Sequence, residues 1–543
     1  MQPPRRSSRL PLIASVAVAL LVSAACTKNK TADAPKTTPA TASSASASAT
    51  SSSAASATTS PSASASPTAS PASIAFSDCS QQFQAAIGSP KAKNMTFSCG
   101  KLAVPLDYAK PTGTPVDLFV VKAHSKSQQA SARIGSLVVN PGGPGGSGIN
   151  LAAGLVSSLS SDVLDHFDLV GFDPRGVGLS GPLQCISDKQ KDQLSAADPD
   201  VRTVAGRTLA RTLSDAVAKA CVAKYGSALG HYNTEETAHD MDLLRQALGD
   251  SKLNYLGFSY GTRLGAAYAH EFPTHLRTAV LDGAVDPVAS ELTTDERQVK
   301  AFEDAFDQFA ADCAKRSSCA AIGNPRTVVE QLIKSADRSP IKSSKKGETR
   351  RATGGIVTIG VLSALYDQSQ WSQLGTALSA AKHGDAAKLF TLADQYSERD
   401  PETGHYTNIM DANLAVNCND STLQITDALV AQQAKSWIAK YPIFGPNAAA
   451  SLYSCHAWPR SNHPLPPASA PGAPPILVVG TVHDPATPYA AAGVLAKALG
   501  SGVLLSWDGE GHTAYPKTSC VTTKVNQYLI TGSPPAGDTC PRS

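Results

Sequence analysis

The run Leu253-Asn254-Tyr255-Leu256-Gly257-Phe258-Ser259-Tyr260-Gly261-Thr262 decides how this chain reads. Leu253–Gly257 is apolar and has the length of a buried strand, and a helix is predicted from about Thr262. Between them sits a glycine-x-serine-x-glycine turn. A turn this sharp forces the serine into strained backbone angles. The flanking glycines are needed because a β-carbon there would strike the neighbouring strand and helix. Small residues at Gly265, Ala266 and Ala267 keep the following helix close. Ser259 is therefore the candidate nucleophile.

Outward from this turn, short Val-, Ile- and Leu-rich runs alternate with Ala-rich stretches of helical period. The strand candidates are 134–140, 167–172, 253–257, 278–281, 476–480 and 503–507, each closed by a Gly, Asp, Asn or Ser turn. That alternation predicts an α/β fold with a mostly parallel sheet flanked by helices, and places chemistry beyond the carboxyl ends of the strands. Between about Val285 and Pro464 the strand signal fades and helical patterning takes over at 299–314, 327–336, 360–381 and 428–439. The sheet pattern resumes at Ile476. The expected organisation is a core of 75–285 and 466–543 interrupted by a helical lid, 286–465.

A serine hydroxyl is a weak nucleophile until a base takes its proton, and the base needs a partner to fix its tautomer. In chain order after such an elbow come an acid and then a histidine. The turn after strand 476–480 reads Thr481-Val482-His483-Asp484-Pro485, and that after 503–507 reads Asp508-Gly509-Glu510-Gly511-His512. Asp484 and His512 are thus the candidate acid and base. Rivals are Asp282, Asp286, Asp508 and Glu510 for the acid and His483 for the base. Asp282 follows the strand after the nucleophile's helix.

An oxyanion needs backbone donors. Tyr260 supplies one candidate amide. Gly143, in the glycine-rich run Asn140–Gly148 after strand 134–140, supplies the other. A phosphate-cradling reading of that run lacks the Lys-Ser/Thr ending and the dinucleotide context, so no cofactor is expected.

The N-terminus has the parts of an export signal: basic Arg5, Arg6 and Arg9, an apolar run 10–22, and small residues before Cys26. Residues 1–25 are expected to be removed. Two readings stay open at Cys26, lipidation at a lipobox-like site that has Ser23 in place of the usual Leu, or ordinary cleavage after Ala25. Residues 26–74 are almost wholly Ala, Ser, Thr and Pro, a composition that cannot offset the entropy of ordering and predicts a tether. The formal charge of +3 falls to zero without the three arginines, which points away from nucleic acid. Of the 11 cysteines, ten remain beside Cys26, an even number that predicts disulfides in an exported chain. Sequence neighbours suggest Cys79–Cys99, Cys185–Cys221, Cys313–Cys319, Cys418–Cys455 and Cys520–Cys540. Cys313 and Cys319 lack the companion spacing of a zinc site, so no metal is expected.

Five ordered motifs, NPGGPGGSG at 140–148, GFDPRGVGLSGP at 171–182, GFSYGT at 257–262, GTVHDPATP at 480–488 and GEGHTAY at 509–515, resemble the secreted tripeptidyl aminopeptidases of actinobacteria, relatives of prolyl iminopeptidases. The resemblance runs from about Cys79 to the C-terminus and includes Tyr232-Asn233-Thr234. It implies an α/β-hydrolase fold with a helical lid, Ser259, Asp484 and His512 as a triad, and cleavage of peptides from a free N-terminus. A substrate ammonium taken out of water requires a carboxylate partner, and Glu235, Glu236, Glu291 and Asp420 are the candidates. Peptides are the expected partners and a monomer the expected state. An esterase, or an inert surface module on the same fold, are the competing readings.

Overall fold

The computed structural model describes residues 73–316, 319, 322–461 and 463–542. The predicted export segment, Cys26 and all but the last two residues of the predicted tether lie outside them. Ten strands form one sheet: β1 (Ser77–Asp78), β2 (Met95–Pro105), β3 (Pro115–Ser125), β4 (Gly135–Asn140), β5 (Phe167–Phe172), β6 (Leu253–Phe258), β7 (Leu276–Asp282), β8 (Ile476–His483), β9 (Gly502–Glu510) and β10 (Thr539–Cys540). Their spatial order is β1-β2-β3-β5-β4-β6-β7-β8-β9-β10. The pairings from β5 to β10 are parallel, while β1–β2, β2–β3 and β3–β5 are antiparallel.

The mostly parallel sheet with flanking helices is the expected one. Strands β4, β5 and β6 are buried along their whole length, which is why they read as continuous apolar runs. The β2–β3 hairpin was not among the strand candidates. Its faces alternate instead of forming a solid apolar block, in the manner of a sheet margin. The main core packs Val138, Val170, Tyr255, Leu281 and Val478 of the sheet against helix residues such as Leu264, Tyr268 and Leu495. Each such side chain contributes roughly 1.5–3 kcal/mol on burial.

From Glu291 to Cys455 the regular elements are helices. They carry a core of their own, with Phe302, Phe306, Phe309, Trp371 and Leu374 at its centre. The predicted helix 360–381 is two helices, Gly354–Leu365 and Trp371–Lys382. Asp367 interrupts them: its carboxylate accepts the amide of Ser369, a local bond that competes with continued helix. All five cysteine pairs suggested by sequence proximity are disulfides.

Candidate active site

Strand β6 runs directly into the helix Tyr260–Glu271, and Ser259 stands between them at φ 56°, ψ −124°. Few non-glycine residues tolerate that backbone, and a strained serine at a strand end is a marker of function. The surroundings hold it there. Ser259 N donates to the Asp282 carbonyl at 2.9 Å, and the Ser259 carbonyl accepts Thr262 Oγ1 at 2.7 Å. A β-carbon on Gly257 would strike the Gly261 carbonyl and the Tyr255 ring, so the elbow closes only around glycine.

Asp484 and His512 lie beyond the ends of neighbouring strands β8 and β9. His512 Nδ1 is 2.9 Å from both Asp484 oxygens. A carboxylate facing Nδ1 holds the proton there and leaves Nε2 as the basic nitrogen. The Asp484 side chain is fully buried and that of His512 is 12 % exposed. Burial alone would raise the Asp484 carboxyl. The charge and hydrogen bond of His512, with the amides of Thr487 and Thr513, outweigh that and hold it below the ordinary range.

The ring is clamped from the helical region too. Tyr366 accepts His512 N through its carbonyl at 2.8 Å, and its ring meets the imidazole edge-on with centroids 5.3 Å apart. Gly283, next to Asp282, reaches the same place, since a β-carbon on it would lie 3.1 Å from His512 Cε1. Imidazole and elbow thus share one rim. Among the described residues no hydrogen bond joins Ser259 Oγ to the ring, and such bonds commonly tighten only when substrate binds.

The rival acid Asp282 does other work. Its carboxylate accepts Ala514 N at 3.0 Å and Tyr515 N at 2.7 Å, in the turn that follows His512. Burial pushes it up to about 6 against the pull of those amides. Glu510 pairs with Arg542, and Asp286 with Arg297, so neither meets the imidazole.

The glycine-rich run lies against the elbow: a β-carbon on Gly142 would sit 2.9 Å from Tyr260 N. Gly142 N is spent on Asn140 Oδ1 at 2.9 Å. Gly143 is the next amide along, and Tyr260 is the first residue of its helix, where the N–H has no intrahelical acceptor. The helix Ile409–Asp420 covers this run, with Asn413 Nδ2 donating to the Pro144 carbonyl at 3.0 Å.

The four carboxylates proposed for an amine divide into two groups. Asp420 accepts Thr234 N at 3.0 Å and Thr234 Oγ1 at 2.6 Å, and Thr234 Oγ1 is 2.6 Å from Tyr260 OH, on the residue after Ser259. Burial raises Asp420 to about 6, with Arg263 pulling it down and Glu291 pushing it up. Glu291 holds Ser421 Oγ at 2.5 Å and Thr422 N at 3.1 Å. Asp295 joins this group: burial and Glu291 raise it to about 6, and Arg263 opposes. The sequence offered no sign of it, because it is one acid among several in an exposed-looking helix.

Glu235 and Glu236 point elsewhere. Buried Glu236 is engaged by Arg175 Nη1 at 3.5 Å and His231 Nδ1 at 3.1 Å, and Glu235 by His463 Nδ1 at 3.1 Å. Arg175 and the two imidazoles hold these carboxylates in a group of their own, apart from Asp420 and Glu291. Arg175, from the GFDPRG motif, is itself fully buried on Asp240 and the carbonyls of Pro105, Leu106 and His231. That network fixes the approach to the helix Thr234–Ala247.

A family model described as alpha/beta hydrolase fold matches residues 135–517, from β4 through the His512 turn. The chain belongs to the alpha/beta hydrolase family. This hydrolase is 40% identical over 457 residues to Serine protease Hip1 of Mycobacterium tuberculosis, covering 81% of this chain and 87% of that protein. It is 37% identical over 458 residues to Carboxylesterase B of the same species, covering 82% and 86%. It is 31% identical over 493 residues to Tripeptidyl aminopeptidase of Streptomyces lividans, covering 87% of each. The hydrolase is thus a serine enzyme similar to the tripeptidyl aminopeptidases, as the five motifs implied.

Proposed function

We propose that this hydrolase is an exported serine aminopeptidase that cuts peptides near their free N-terminus and releases tripeptides through an acyl-enzyme. The observation that carries the reading is the Asp420–Thr234–Tyr260 chain of hydrogen bonds, which sets a buried carboxylate beside the residue following the nucleophile. His512 Nε2 takes the Ser259 proton as the hydroxyl attacks the carbonyl of the scissile peptide bond. The Gly143 and Tyr260 amides hold the oxyanion, and Asp484 stabilises the imidazolium. The imidazolium then protonates the leaving amine, and water, deprotonated by the same ring, hydrolyses the ester.

Asp420, with Glu291 and Asp295 close by, receives the substrate ammonium, since a desolvated cation requires an anionic partner. Names of relatives support a peptide substrate, and five disulfides support an oxidising, extracytoplasmic setting. Attachment through lipidated Cys26 and a monomeric state complete the proposal. The test is turnover of a tripeptide amide with its amine free and acetylated, beside a short acyl ester, with the released fragments weighed. Acetylation should abolish cleavage. The 37% identical Carboxylesterase B favours an esterase as the second reading, and turnover of the ester with neither peptide amide cleaved would establish it.

A further inference from the structure

Away from the elbow, two histidines and a glutamate from separate stretches of chain converge. His231, Glu236 and His463 present ligand atoms all within 4.8 Å of one another. His231 precedes the helix Thr234–Ala247, Glu236 lies in its first turn, and His463 lies where the chain returns from the helical region toward β8. The two imidazole centroids are 5.6 Å apart.

Charge around this cluster is unbalanced. Glu235, Glu236, Asp107 and Asp240 supply four carboxylates, with Asp107 Oδ2 at 4.0 Å from His231 Nε2. Among the described residues, Arg175 and exposed Lys110 are the cations that meet them. With neutral imidazoles, two negative charges stay uncompensated, a deficit the size of one divalent cation. Arg175 faces Glu236 Oε2, which leaves Oε1, the oxygen beside His231, toward the cluster. Glu235 Oε2 lies 3.1 Å from His463 Nδ1, the kind of carboxylate partner that commonly orients a metal-bound histidine.

We infer that His231, Glu236 and His463 form a site for a borderline divalent transition metal, zinc being the natural occupant of two imidazoles and a carboxylate in an exported protein. Tetrahedral zinc with bonds of about 2.0–2.1 Å sets its ligand atoms roughly 3.3 Å apart, so side-chain adjustments of about 1 Å close the site. The role is structural. The ion ties the returning chain to the start of the helix that carries Thr234. Sequence spacing gave no hint of it, because His231 and His463 are far apart in the chain and no short motif joins them.

Calorimetric titration of zinc chloride into the intact, EDTA-treated, disulfide-bonded protein tests the site. One saturable equivalent is expected, weakened at least about tenfold in His463→Gln and in His231→Gln. X-ray absorption of the zinc-loaded unsubstituted protein is expected to show two imidazole ligands, and needs no variant to fold. No saturable equivalent, an equivalent that survives both substitutions, or a shell with fewer than two imidazoles would each overturn the proposal. Hydrolysis by the same samples stands apart, so failure of the metal site leaves the peptidase reading untouched.

Discussion

Asp282 and Asp484 stand at the carboxyl ends of adjacent parallel strands, and both are buried. One is pushed up to about 6 and the other is held below its ordinary range. Burial is common to the two; partners are not. Asp484 faces an imidazole able to carry positive charge, whereas Asp282 faces neutral amides of the turn after His512. At a strand end, the partner decides whether an aspartate serves chemistry or holds a loop.

The sharpest break of this comparison lies in turnover. Ser259→Ala should cost about 10⁶-fold in kcat and leave the fold intact, the scale seen when a triad acts as a unit. Asp484→Asn should cost about 10⁴-fold, because asparagine no longer fixes the tautomer. Asp282→Asn should cost far less in kcat, within about tenfold, while lowering stability by about 1–3 kcal/mol through its amide partners. Steady-state kinetics beside thermal melts distinguish these. If Asp282→Asn proved the more damaging to kcat, the acid would have been misassigned.

Stability against pH separates the two with opposite signs. Folding raises the Asp282 carboxyl from 3.8 to about 6. The native state therefore binds more protons than the unfolded chain between about pH 4 and 6, and this group's contribution declines as pH rises through that window. Asp484 is lowered, so its contribution is present above the ordinary carboxylate range and fades as pH falls through its folded value. Denaturant melts of the parent minus Asp282→Asn should show the first slope. A difference that rose with pH would contradict the raised carboxyl.

Legibility in the sequence followed the same division. Ser259, Asp484 and His512 stand out as candidates because each lies at or just beyond the carboxyl end of a strand of the parallel sheet, and the largely buried β6 and β8 announce themselves through composition. The alternating β2–β3 margin lacks that signature. The disulfides were legible because each joins a cysteine to the next cysteine along the chain, at separations of 6 to 37 residues. What the sequence could not say was which carboxylates lie near one another in the fold. Asp420 and Glu236 look alike as letters. Their roles are set by Thr234 and Tyr260 on one side and Arg175 and His231 on the other, contacts that span up to 186 residues of chain.

Those two acidic groups give the next prediction. Asp420→Asn should lower kcat/KM for free-amine peptides by about 10²-fold, the loss of a buried charge-assisted partner, and leave a short acyl ester nearly unaffected. Because the carboxyl is raised to about 6, it is neutral below that pH and cannot hold an ammonium. An acid limb in kcat/KM for free peptides that is steeper than the limb for the ester should follow, and Asp420→Asn should remove the difference. Equal limbs would detach Asp420 from the amine.

The smallest effect belongs to Glu235. Its pair with His463 is about a third exposed on each side, so screening leaves it worth no more than about 1 kcal/mol. Its place in the first turn of a helix adds about 0.3–1 kcal/mol of dipole stabilisation that glutamine forgoes. Glu235→Gln should therefore shift the melting temperature by a few degrees at most and change kcat/KM for free peptides by less than about threefold. A loss rivalling that of Asp420→Asn would mean that substrate amines reach the imidazole-flanked carboxylates after all, and the division of the acids into two separate groups would have to be abandoned.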